Sequence, residues 1–184
     1  LPYYPGTRPY QVIPFQWSTH VQQPDGSIEH QEFVHDGTDD PRPGFIASLM
    51  EAVGTSGSVV TYSAYEATRL KQLATEFPEH ADRLLRLVDR MFDLLKVVRA
   101  EYYHPEFHGS FSLKSVLPVL VPELGYDDLE ISDGSIASLA FTQMVDPDTE
   151  PAEKNRLRMA LLDYCRRDTE AMVKVYGALA AVSV

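Results

Sequence analysis

The sequence is short of several features, and each shortage narrows what the protein can be. It holds one cysteine, Cys165, so no internal disulfide can form. That fits a reducing compartment, and the chain reads as cytoplasmic, although exported bacterial proteins share the trait. No apolar run approaches the ~18 residues a membrane helix requires, and no basic-then-apolar leader opens the chain. Basic residues are scarce as well: 16 Lys and Arg stand against 27 Asp and Glu, a net charge of −11. Coating nucleic acid through its phosphates needs clustered cations, so the balance argues against that class. It leaves nucleases open, because a metal-dependent nuclease gathers carboxylates in its cleft and lets divalent cations meet the phosphate. The 184 residues at 44% hydrophobic composition suffice for one domain with its own core.

The first nine residues, with three prolines and a glycine, read as an extended connector. Residues 10–22 and 28–35 are rich in aromatic and β-branched side chains, and Pro24-Asp25-Gly26-Ser27 between them is a turn signal, which predicts a β-hairpin. A short helix is expected over residues 45–53, stopped by 54–57. Residues 58–62 form a short apolar run of the kind found in a buried central strand, followed at once by a helical pattern from 64 to about 77. Further helices are expected over 80–90, 112–121 (despite Pro118), 134–144 behind the N-cap Asp133, and 151 to about 181 with Pro151 in the first turn. Residues 91–99 fit either helix or strand, with helix the assignment adopted, and 104–110 read as a loop. A hairpin beside a strand reached through a helix implies an α/β fold: one mixed sheet of hairpin plus central strand, covered by helices.

At about 100° per residue, Leu157, Leu161, Tyr164, Cys165, Met172, Val175 and Leu179 fall on one face of the last helix, with Asp168 in their midst. An ionised carboxylate in an apolar stripe is costly unless a metal ion, a basic partner or several hydrogen bonds compensate it. Asp168 is therefore either a ligand or one half of a structural ion pair. Tyr164 lies four residues earlier on the same face, where its hydroxyl can serve the same site, although packing is the commoner role for such a ring. Glu66, just after the short strand, has two readings. In Ser63-Ala64-Tyr65-Glu66 it completes an S-x-x-E capping box, and at the end of a central strand it stands where α/β folds expose reacting groups.

Tyr164-Cys165-Arg166-Arg167-Asp168 resembles the third motif of DEDDy exonucleases, a tyrosine and an aspartate separated by three residues on a late helix. Val59-Val60-Thr61-Tyr62-Ser63-Ala64-Tyr65-Glu66 is similar to their second, a strand ending in a polar turn, an aromatic residue and an acid. Tyr4-Pro5-Gly6-Thr7-Arg8-Pro9-Tyr10, Ile13-Pro14-Phe15-Gln16, Asp40-Pro41-Arg42 and Gly109-Ser110-Phe111-Ser112-Leu113-Lys114, together with Tyr164-Cys165, resemble a bacterial family known as domain of unknown function 2779. That family in turn resembles RNase H-like DEDD exonucleases.

The resemblance implies an RNase H-like fold and a hydrolase, a 3′-5′ exonuclease that uses two Mg²⁺ or Mn²⁺ ions on single-stranded DNA or RNA ends. In it Glu66 and Asp168 hold metal, Tyr164 orients the attacking water, Lys114 offsets phosphate charge, and Phe111 and Tyr65 stack on a terminal base. Two departures matter. The acid is Glu66 where such enzymes carry Asp, and the first strand with its Asp-x-Glu pair is missing, so the chain is expected to be an inactive C-terminal part that needs an upstream region of the same polypeptide or dimerises along the open sheet edge. The rival readings are a non-catalytic RNase H-like module that binds nucleic acid or protein, and an unrelated α/β binding domain with a salt-bridged Asp168. His104 and His108 have H-x3-H spacing, but Pro105 disfavours the helix that would pair them on zinc.

Overall fold

A computed structural model describes residues 4–182; the first three residues of the expected connector lie outside the described residues. In chain order the elements are β1 (Gln16–Gln22), β2 (Ile28–Val34), α1 (Pro41–Ala52), β3 (Val59–Thr61), α2 (Tyr65–Glu76), α3 (Ala81–Asp89), β4 (Met91–Asp93), α4 (Leu94–Glu101), α5 (Leu113–Leu120), α6 (Gly134–Met144) and α7 (Pro151–Val182). The architecture is mixed α/β, with small sheets and seven α-helices among the described residues. The chain forms two compact units, Leu1–Ala52 with Asp127–Arg167, and Val53–Tyr126 with Asp168–Val184.

In the first unit β1 and β2 make the expected antiparallel hairpin, Trp17 opposite Phe33 and His20 opposite His30. Its turn is held by local chemistry: the Asp25 carboxylate accepts from the Ser27 amide at 2.9 Å and from its hydroxyl at 2.7 Å, and Gly26 takes a φ of 86°. The strand begins at Gln16 rather than residue 10, since Pro14 has no N–H to give a ladder. Helix α1 starts earlier than its apolar pattern, because Pro41 and Pro43 occupy a first turn whose amides need no helical acceptor. Arg42, buried at its start, grips Asp40 at 2.6 and 2.9 Å and donates to the Pro5 carbonyl at 3.2 Å. The Asp-Pro-Arg motif thereby ties down the N-terminal segment.

Asp133 caps α6 as expected, accepting from the Ser135 and Ile136 amides at 2.7 and 3.0 Å. The core of this unit gathers Val34, Ile131, Phe141, Met144, Leu157 and Leu161, with Phe15 stacked on Phe141 at 4.0 Å.

The second unit contains β3 and β4, paired in parallel with Val59 opposite Met91 and Thr61 opposite Asp93. Parallel strands need a crossover, supplied here by α2 and α3 packed on each other. A second core joins Leu94, Val98, Phe107, Val116, Leu117, Ala171 and Val175. Two expectations are corrected. The hairpin and the strand do not share one mixed sheet: β1-β2 and β3-β4 are separate two-stranded sheets. Residues 91–99 are not one helix either, since 91–93 are strand. Three residues are too few to show a period, and the ladder to β3 overrides the helical continuation. None of the helices among the described residues is long and apolar enough to cross a membrane.

Candidate functional site

Because β3 and β4 run in parallel, their carboxyl ends lie together, and the turns that leave them carry Ser63–Glu66 on one side and Asp93 on the other. In open α/β sheets this is the end at which backbone turns free side chains for ligands. Asp93 closes β4 and caps α4, and its Oδ1 accepts from the Leu95 amide at 3.0 Å. The same oxygen accepts from the Ser63 amide at 2.9 Å. Ser63 has a φ of 99°, a conformation costly for a residue with a Cβ. One carboxylate oxygen therefore fixes both turns, including the strained one from which Glu66 departs.

That bond removes the capping-box reading of Glu66. In a capping box the Glu66 side chain would take the Ser63 amide; here Asp93 takes it, and α2 begins behind Ala64 with no side-chain cap. Glu66 is half-buried, and its Oε2 has no hydrogen-bond partner. Burial pushes its carboxyl from an ordinary 4.5 up to about 7, opposed by its own amide and reinforced by the negative charges of Asp93 and Asp168. The two acids singled out in sequence, 102 positions apart, thus lie within electrostatic reach of each other, with Asp93 as a third.

Asp168 is half-buried on α7, within the stripe that sends Leu157 and Leu161 into one core and Val175 into the other. Tyr126 donates its hydroxyl to Asp168 Oδ1 at 2.8 Å, and the Lys114 ammonium sits 5.5 Å from the centre of the Tyr126 ring. The order Lys114, Tyr126, Asp168 thus runs from an exposed cation through an aromatic face to a carboxylate.

The other expected site residues are placed less uniformly. Tyr65 precedes Glu66 and is 54% exposed, free to present a ring face. Phe111 is half-buried against the second core, edge-on to Phe107, and its carbonyl accepts from the Tyr62 hydroxyl at 2.8 Å. Tyr164 belongs to the first unit, where its ring packs against that core. Asp93 and Tyr126 escaped the sequence reading. The one signal for Asp93 was an acid after the apolar pair Met91-Phe92; Tyr126 lies in an irregular stretch with no period to mark it.

Oxygen donors of this kind suit a hard divalent cation, and the unpartnered Glu66 oxygen is the group such an ion would satisfy. Among the described residues no three His, Cys, Asp or Glu side chains stand close enough to form a cage by themselves.

No curated protein and no solved structure matches the chain. A family profile described as a domain of unknown function, DUF2779, matches residues 1–112, a span that includes Glu66 and Asp93 and ends before Tyr126 and Asp168. With more than half of its length matched, the chain belongs to the DUF2779 family.

Proposed function

We propose that the carboxylates at the end of the β3-β4 ladder form a divalent-cation-dependent nuclease site that hydrolyses phosphodiester bonds in single-stranded nucleic acid. The observation that carries this reading is Glu66: a half-buried acid with an unpartnered oxygen, held near two further acids. A buried acid with an unpartnered oxygen costs folding energy, and a bound cation removes that cost. The motif resemblance to RNase H-like DEDDy exonucleases points to the same chemistry and to attack from a 3′ end.

Glu66 and Asp168 would hold Mg²⁺ or Mn²⁺, which when bound lowers the pKa of a water and neutralises charge on the phosphate. Asp93 keeps the Glu66 turn in its strained shape through Ser63, and Tyr126 fixes the orientation of Asp168. Of the 27 acids and 16 bases, the second unit carries 11 and 9, so nearly all of the −11 resides in the first. Apart from Glu66, Asp93 and Asp168, the second unit has a net charge of +1.

A second reading, a non-catalytic nucleic-acid or protein-binding module, is favoured by one observation: Oδ1 of Asp93 and Oδ1 of Asp168 are both engaged by protein donors. The two readings separate in one experiment. The full-length protein is incubated with Mn²⁺ and 5′-labelled single-stranded DNA or RNA. The nuclease reading expects stepwise shortening that Asp168→Ala abolishes; intact strands, or equal shortening by the variant, overturn it.

A further inference from the structure

Two groups of opposite charge stand unsatisfied one helical turn apart on α2. Glu66 Oε2 and Arg69 Nε are both buried, and neither has a hydrogen-bond partner. Residues at i and i+3 are neighbours on a helix surface, where Glu and Arg would ordinarily pair. Here they do not. The Arg69 guanidinium instead lies against the Tyr65 ring, 5.5 Å from its centre. A buried donor and a buried acceptor each left open are costly, and a solvated ion pair would have relieved both at once.

We infer that Tyr65, Glu66 and Arg69 form a nucleotide subsite, in which Arg69 binds a phosphate oxygen, the open face of Tyr65 stacks on the adjoining base, and Glu66 faces the cation that accompanies the phosphate. The inference rests on the nuclease reading of the neighbouring carboxylates and adds the group that reads the substrate. The chemistry of each part is distinct. A guanidinium offers a fork of donors matched to phosphate oxygens. Tyr65 is 54% exposed with Arg69 against its ring, so a base on the opposite face would complete an Arg–Tyr–base stack of the kind that serves single strands without regard to sequence. Arg69 adds a second cation to Lys114, the phosphate-contacting cation expected from the sequence, whose ammonium lies beside the Tyr126 ring.

The test is the affinity of the full-length protein for a fluorescein-labelled single-stranded dT oligonucleotide, read by anisotropy over a range of salt in Ca²⁺, which limits hydrolysis. Arg69→Ala is expected to weaken binding about tenfold and to lower the salt slope by about 0.7, the loss of one single-strand phosphate contact. Arg69→Lys is expected to keep the slope but not the full affinity, because it retains charge without the fork. Tyr65→Ala is expected to weaken binding at least about fivefold on a strand with bases, and to have no effect on an abasic strand. Arg69→Gln replaces the alanine variant if that one loses its helical circular dichroism. Wild-type binding that Arg69→Ala leaves unchanged in affinity and slope overturns the subsite while leaving the nuclease reading intact. Absence of wild-type binding overturns both.

Discussion

The Tyr126 hydroxyl donates to Asp168 Oδ1 at 2.8 Å, joining an irregular segment to a long helix across 42 positions of sequence. A hydrogen bond to a charged, half-buried acceptor contributes more than a neutral one, so Tyr126→Phe should lower unfolding free energy by about 1–2 kcal/mol. A double-mutant cycle with Asp168→Asn, read by urea denaturation, should return a coupling of about 1 kcal/mol. Additive effects would mean that the bond holds nothing in place.

Glu66 provides a pH signature. Its carboxyl titrates near 4.5 in the unfolded chain and at about 7 in the fold. Between those values the unfolded chain releases a proton that the folded chain keeps, so stability falls as pH rises, and the loss is complete above about pH 7. Glu66→Gln removes that loss. In the presence of a chelator the variant should exceed wild type by an amount of order 2 kcal/mol at pH 8, with the gap closing below pH 4.5. Thermal melts at the two pH values check it; a gap that does not change with pH would contradict the burial of this acid.

Asp93 tests the strained turn. Asp93→Ala removes the acceptor for both Ser63 and Leu95, and should cost about 1–2 kcal/mol through the lost cap and the released turn. Asp93→Asn keeps an oxygen in place and should stay within about 0.5 kcal/mol of wild type. Equal losses in the two variants would assign the effect to charge rather than geometry.

Arg90 donates to the carbonyls of Val53, Gly54, Ser56 and Gly57, gathering the loop ahead of β3 around one guanidinium. A lysine cannot reproduce that fork. Arg90→Lys and Arg90→Ala should both speed proteolysis within residues 53–58, the alanine more, with a stability loss of about 1–3 kcal/mol for the latter. Mass mapping of the cleavage sites checks this, and unchanged digestion would contradict the clamp.

What the sequence revealed depended on the length and chemistry of each signal. The hairpin turn, the Asp133 cap and the long stripe on α7 are local, repeated or strongly typed, and they formed where expected. Asp168 was legible because it violated that stripe, and Glu66 because it followed an apolar run. Asp93 was hidden because β4 has only three residues and runs straight into a helix, so its pairing with β3, a contact 32 positions away, decides its state. Tyr126 and Arg69 were hidden for another reason. Their meaning lies in what they touch or fail to touch, and a tyrosine in a loop or an arginine on a helix carries no mark of that in the sequence.

Glu66 and Asp168 are proposed to bind a divalent cation together, and Mn²⁺ titration followed by calorimetry and by water-proton relaxation reads that pairing. Saturable binding is expected that Glu66→Gln and Asp168→Asn each weaken at least about tenfold, while Asp82→Asn, on the exposed face of α3, leaves it unchanged. Binding that is absent from the full-length protein, or equal in all four, would contradict it.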